Sequence, residues 1–282
     1  MTRFAEFWAG AFALLRPLNC AITAVSVGVG ALTSGVCADL RQVAGAAFSA
    51  ALIAGAGNIY NDLKDLEIDR INRPRRPLPS GRIGKRAAAI EMALLASAGW
   101  LLSWWLGPHL FAIASGVVLG LFVYSSYLKS TVLWGNLTVS LLAAAAFPFG
   151  ALAAGSIGRS WLPAAFAFLF HLAREIIKDV EDAVGDRRRG VATLALFLGP
   201  KGAAGVATAL FVLLMAVTLA PWALNLYGLP YLIVIAVLDA LLITVVLKMI
   251  RGGAGVTDQR LSQALMVGMI LGLLAIVLGE SL

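Results

Sequence analysis

Two rows of carboxylates carry the chemistry that this chain can do. The first is Asp62, Asp65 and Asp69, preceded by Asn58 and Asn61, and the second is Asp179, Asp182 and Asp186. The offsets are the same in both, i, i+3 and i+7, which places each row along one face of a helix end. Hard oxygen donors on short side chains suit Mg2+, which keeps several waters and binds a few carboxylates together with phosphate oxygens. Two such ions can clamp a diphosphate leaving group and disperse the charge that builds up as its ester bond breaks. One acidic cluster at a helix end is ordinarily a solvated terminus. Two with matched spacing, each trailed by arginines, point to a Mg2+-diphosphate site.

The elements that must position these rows are membrane spans. Of 282 residues, 60% are hydrophobic and 13% charged, and apolar stretches recur along the whole chain. Crossing a hydrocarbon core as helix takes about 20 such residues. Nothing alternates as barrel strands do, so the spans are helices. The sequence predicts an all-α polytopic membrane protein with nine spans, at 12–34, 40–62, 86–106, 109–127, 132–155, 161–181, 203–220, 229–250 and 261–279. With the N-terminus cytoplasmic, only Arg41 and Arg159 of the 22 Lys and Arg fall on the outer side. Both acidic rows then lie at the cytoplasmic ends of spans two and six. Their alignment also pairs Asn58 with Glu175, which suggests two parallel four-helix halves plus a ninth helix. The first apolar run, Trp8 to Leu15, leads into Arg16 and Pro17 with no small-residue cleavage pattern, and is expected to be retained.

The net charge of +7 sits in short loops, as membrane orientation requires, so nucleic acid is not expected as a partner. Cys20 and Cys37 have neither metal-ligand nor disulfide-framework spacing. Between the first acidic row and the third span, Arg70, Arg73, Arg75, Arg76 and Arg82 lie in a loop broken by Pro74, Pro77 and Pro79. They either hold the loop inside or capture phosphate, whose oxygens a guanidinium matches bidentately. Arg16 and Asn19 share a face of the first helix. Arg16 either snorkels or holds an anionic acceptor head group. Arg174 and Lys178 flank the second row and balance its charge. Asp239 falls near the middle of the eighth span, with no partner assignable from sequence.

The motif N-D-x-x-D-x-x-x-D at Asn61, Asp62, Asp65 and Asp69, with D-x-x-D-x-x-x-D at Asp179, Asp182 and Asp186, resembles the UbiA superfamily of intramembrane prenyltransferases. The run INRPRRPLPSGRI after the first motif is similar to that family's loop. Within the superfamily, Arg16-Pro17-Leu18-Asn19-Cys20, NDLKDLEIDRINRPRRPLPSG and REIIKDVEDAVGD look most like the digeranylgeranylglyceryl phosphate synthase branch. The resemblance covers residues 16 to about 200 and implies one domain over 1–282, with nine helices around a lipid-accessible central cavity. It assigns Asn61, Asp65 and Asp69, with Asp62 beside them, and Asp182 and Asp186, with Asp179 nearby, to Mg2+ and diphosphate. The family's Tyr-x-x-x-Lys motif is matched by Lys129, a phosphate contact, although Tyr124 stands five residues before it and Tyr127 two.

The activity implied is transfer of a prenyl group, geranylgeranyl by branch resemblance, from its diphosphate to a lipid-soluble acceptor in the membrane. The branch points to geranylgeranylglyceryl phosphate as acceptor. Aromatic quinone precursors and tetrapyrroles are the rival acceptors. A cation-coupled transporter is the rival from another class, but it would need polar breaks at bilayer centre. Here the acidic rows lie at helix ends.

Overall fold

The computed structural model describes residues 2–189, 192–252 and 260–281. The chain is 83% helix, with no strand among the described residues. The helices are α1 (Thr2–Leu14), α2 (Pro17–Leu32), α3 (Leu40–Lys64), α4 (Leu66–Asn72), α5 (Lys85–Leu106), α6 (Pro108–Ser126), α7 (Trp134–Ala144), α8 (Ala146–Ala153), α9 (Trp161–Arg189), α10 (Leu194–Phe197), α11 (Gly199–Ala223), α12 (Leu229–Gly252) and α13 (Arg260–Ser281). Among the described residues, seven segments are long and apolar enough to cross a membrane, counting α7 and α8 together, or eight if the bent pair α1–α2 is one span. Helix α9 is not among them, because its C-terminal half is charged.

The first expected span, 12–34, is interrupted. Proline disfavours the α conformation in the residue before it, and Arg16 takes φ 52° and ψ 70° ahead of Pro17. Helices α1 and α2 therefore meet at a 40° bend. The Leu15 carbonyl left over at the break accepts from Asn58 Nδ2 at 2.9 Å and from Cys20 Sγ at 3.1 Å.

The chain divides into two compact units. The first comprises residues 1–127 and 145–158, the second 128–144 and 159–282. The expected division between spans four and five is thus displaced into span five, whose halves α7 and α8 belong to different units. Packing explains why α8 joins the first unit. A Cβ on Gly150 would lie 1.8 Å from the Val27 carbonyl oxygen, and one on Gly30 would lie 2.0 Å from that of Phe147. Helices α2 and α8 therefore touch backbone to backbone through reciprocal glycines. Small residues allow such close approach in lipid, where apolar burial alone does not drive helices together. Helices α3 and α5 approach in the same manner, with Ser49 Oγ donating to the Gly99 carbonyl at 2.7 Å. A second apolar cluster, including Leu14, Ile59, Leu66, Leu78 and Ile83, packs α1, α3, α4 and the arginine loop around the base of α5.

In the second unit α9 packs on α7 and α11, and α12 on α13. At the end of α13, Glu280 accepts from Tyr227 Oη at 2.6 Å and from Arg159 Nη2 at 2.7 Å. Burial pushes the Tyr227 hydroxyl above its ordinary pKa, and Glu280 adds to the shift. Asp239 lies within α12 as expected, and its Oδ1 is buried with no hydrogen-bond partner among the described residues.

Candidate active site

The first acidic row lies on two helices, not one. Helix α3 ends at Lys64, and Asp65 both closes it and opens α4. The break is slight, since Asp65 N–H still reaches the Asn61 carbonyl and Asp69 N–H the Asp65 carbonyl, each at 2.9 Å. Asp62, Asp65 and Asp69 are all buried, at 4%, 7% and 5% exposure.

Three buried carboxylates repel one another unless cations intervene. Guanidinium groups do so. Arg16 Nη2 pairs with Asp62 Oδ1, and Arg76 Nη1 donates to Asp69 Oδ2 at 2.5 Å and to Asp62 Oδ1 at 3.3 Å. Asn61 Nδ2 donates to Asp65 Oδ2 at 3.1 Å. Burial pushes the Asp69 carboxyl above the usual carboxylate range. The Arg76 guanidinium opposes that shift, while Asp65 and Asp62 reinforce it. In the first unit the structure thus gathers Arg16, Asn61, Asp62, Asp65, Asp69 and Arg76.

The remaining sequence candidates of this unit are placed around them. Asn58 spends its amide on the broken helix, and Asn19 lies half-buried in the first turn of α2, with its N–H on the Arg16 carbonyl at 2.8 Å. Arg70 is on the exposed side of α4, paired with Glu67 at 3.0 Å. Arg73 caps α4 and is half-buried. Arg82 Nη2 donates to the Arg75 carbonyl at 2.7 Å and so ties the loop to itself. Tyr124 is half-buried on α6, and Tyr127 is exposed.

The second row keeps to one helix, as expected. Asp179 and Asp182 lie on the uninterrupted α9, each half-buried. Asp186 continues the same helix, but its side chain lies outside the described residues. Asp179 Oδ2 accepts from Asn136 Nδ2 at 2.8 Å. Asn136, buried on α7, escaped the sequence reading, and a lone amide at the start of an apolar span was its only signal. Lys129 is half-buried in a single 3-10 turn, Leu128–Ser130, between α6 and α7.

No group of three His, Cys, Asp or Glu is gathered as a ready metal cage among the described residues. The donor set still fits Mg2+, which takes one or two carboxylates and completes its shell with water and substrate phosphate. All the donors of both rows are hard oxygens.

The sequence pattern of the UbiA prenyltransferase family matches residues 21–266, nearly the whole described chain and both acidic rows. The chain belongs to the UbiA prenyltransferase family. It is therefore a prenyltransferase and a multi-pass membrane protein. It is 35% identical over 270 residues to digeranylgeranylglyceryl phosphate synthase of Methanothermobacter thermautotrophicus, covering 95% of this chain and 94% of that one. Among solved structures it is similar to one described as giving insight into digeranylgeranylglyceryl phosphate synthase in membranes, with 31% identity, a TM-score of 0.75 and 99% of each chain covered. A UbiA homologue from Archaeoglobus fulgidus, solved with GPP and Mg2+, shares the fold at 20% identity and a TM-score of 0.69, over 97% of this chain and 100% of that one.

Proposed function

We propose that the protein transfers a geranylgeranyl group from its diphosphate to geranylgeranylglyceryl phosphate, forming the second ether bond of an archaeal-type lipid. The observation that carries this reading is the buried row Asp62, Asp65 and Asp69 with its arginine counter-ions, in a chain resembling a digeranylgeranylglyceryl phosphate synthase over nearly its full length. The single domain spans 1–282, with α9 completing nine spans around a central cavity. Both acidic rows and the loop between α4 and α5 face the cytoplasm.

In the reaction the C1–O bond of the donor breaks, the diphosphate departs, and an allylic cation remains. The free glycerol hydroxyl of the acceptor attacks C1, and its proton passes to the departed diphosphate. Bound Mg2+ would supply charge neutralisation on the leaving diphosphate. Asn61, Asp62, Asp65 and Asp69 would hold it in the first unit, with Asp179, Asp182 and Asp186 in the second. Arg16 and Arg76 neutralise Asp62 and Asp69 and carry donors that match phosphate oxygens, so the same groups serve a bound substrate. Arg70, Arg73 and Lys129 add positive charge for the donor, while Asn19, Asn58 and Tyr124 shape its surroundings. Apolar helix faces exclude water from the cation.

The test is an assay of the purified protein with labelled geranylgeranyl diphosphate, Mg2+ and a panel of acceptors. Product is expected with geranylgeranylglyceryl phosphate. Product only with an aromatic acceptor or a tetrapyrrole would overturn the assignment.

A further inference from the structure

Arg16 and Asn225 are the non-glycine residues with positive φ among the described residues. Asparagine is at home in the left-handed region, whereas arginine seldom enters it. Such backbone persists only where its surroundings over-determine it, and it gathers at functional sites. What holds Arg16 lies on one face of α3, where Gly55, Asn58 and Asp62 stand at i, i+3 and i+7.

Each of the three meets a different part of the break between α1 and α2. A Cβ on Gly55 would lie 3.2 Å from Leu15 Cδ2 and 3.5 Å from Cys20 Sγ, so the glycine lets the break come close. In a continuous helix the Asn19 N–H would serve the Leu15 carbonyl. It goes to the Arg16 carbonyl instead, at 2.8 Å. Asn58 Nδ2 takes its place on the Leu15 carbonyl, at 2.9 Å. The Cys20 thiol, at 3.1 Å, is a weak donor on the same segment and does not tie the break to α3. One turn further along α3, Asp62 receives the Arg16 guanidinium. The peptide before Arg16 and the tip of its side chain are therefore held from two consecutive turns of one helix. Fixing a long side chain at both ends removes freedom that a bound phosphate would otherwise have to quench.

We propose that Asn58 is a positioning residue for prenyl transfer, fixing the backbone from which Arg16 presents its guanidinium to a substrate phosphate. It acts through Arg16 and does not itself touch substrate. This role rests on the reaction proposed above, in which Arg16 serves a phosphate-bearing substrate.

The test is a double-mutant cycle in the full-length protein with Mg2+, measuring the KM of geranylgeranyl diphosphate and of geranylgeranylglyceryl phosphate in turn. Arg16→Gln should raise one of the two about tenfold or more, as a lost hydrogen bond to a charged group does, and so identifies which phosphate Arg16 meets. Asn58→Ala should raise the same KM about threefold or more with little change in kcat. Asn58→Gln, which keeps the N–H donor, should restore most of that loss. In the Arg16→Gln background, Asn58→Ala should add nothing to the KM, since residues acting through one contact are not additive. Gly150→Ala, destabilised at the α2–α8 crossing, should leave the KM unchanged, which separates positioning from lost stability. Additive effects of Asn58→Ala and Arg16→Gln would overturn the proposal. So would an Arg16→Gln variant with the parent's KM for both substrates, a rise confined to the other substrate in Asn58→Ala, or an equal rise in Gly150→Ala. If Asn58→Ala does not fold, Asn58→Leu, similar in size but without a donor, carries the same cycle. Product only with a different acceptor would defeat the acceptor reading, and the cycle then decides the positioning with that acceptor. An active protein whose Asn58 variants keep the parent's KM would defeat the positioning alone.

Discussion

At the scale of residues, the site is organised by how buried charge is balanced. Asp62 sits between two guanidinium groups, Asp69 against one, and Asp65 against the amide of Asn61. On the proposed function, replacing one carboxylate in such a row removes a metal ligand without removing its neighbours' need for cations. Asp65→Asn and Asp182→Asn are each expected to lower turnover by about 100-fold or more, since metal clamping supplies several kcal/mol of charge stabilisation. EDTA should abolish activity and Mg2+ restore it. Full turnover in chelator would remove the mechanism. Arg76→Ala takes the guanidinium from buried Asp69 and leaves Asp62 to Arg16, and breaking a buried pair costs about 3–5 kcal/mol. Arg76 keeps some solvent contact, which lowers that figure. Its melting temperature should fall, and added Mg2+ should recover part of the loss. A variant as stable as the parent in chelator would show that Arg76 does not balance the row.

At the scale of elements, two breaks and one close crossing set the geometry. Asn58 closes the break at Arg16 by donating to the Leu15 carbonyl. Asn58→Ala should cost about 1–3 kcal/mol, the penalty of a buried acceptor left unsatisfied, read as a lower melting temperature in detergent. An unchanged melting temperature would mean that Cys20 or water satisfies the carbonyl alone. The α2–α8 crossing is less forgiving. A methyl at Gly30 or Gly150 would press into a facing backbone, which cannot swing aside as a side chain can. Gly150→Ala should destabilise by about 1–3 kcal/mol or more, as overpacking does, while Gly28→Ala, with open space at that position, should be nearly neutral. Equal stability of the two variants would refute the backbone contact.

At the scale of the whole molecule, the proposed orientation rests on the distribution of basic residues. With Cys20 and Cys37 first replaced, Ser80→Cys should react with an impermeant thiol reagent only from the cytoplasmic side, and Ile157→Cys only from the outside. Reaction of both from one face would refute the nine-span arrangement. The amino-acid sequence by itself determined the helical class, seven or eight of the nine expected spans, the two acidic rows and the family. Those features rest on local composition and spacing, namely the length of apolar runs and carboxylates one helical turn apart. Only the tertiary structure decided where the helices break and which charges meet. Pro17 permits a break, but the Asn58 amide stabilises it from 43 residues away. The i, i+3, i+7 offsets of the first row promised one helix face, yet the chain closes α3 at Asp65 and starts α4 there. The glycines that assign α8 to the first unit are unremarked in a sequence holding 29. Arg16, Arg76 and Glu175 are charges whose partners lie on neighbouring turns or other segments. Such pairings depend on side-chain reach and burial, which linear spacing does not encode.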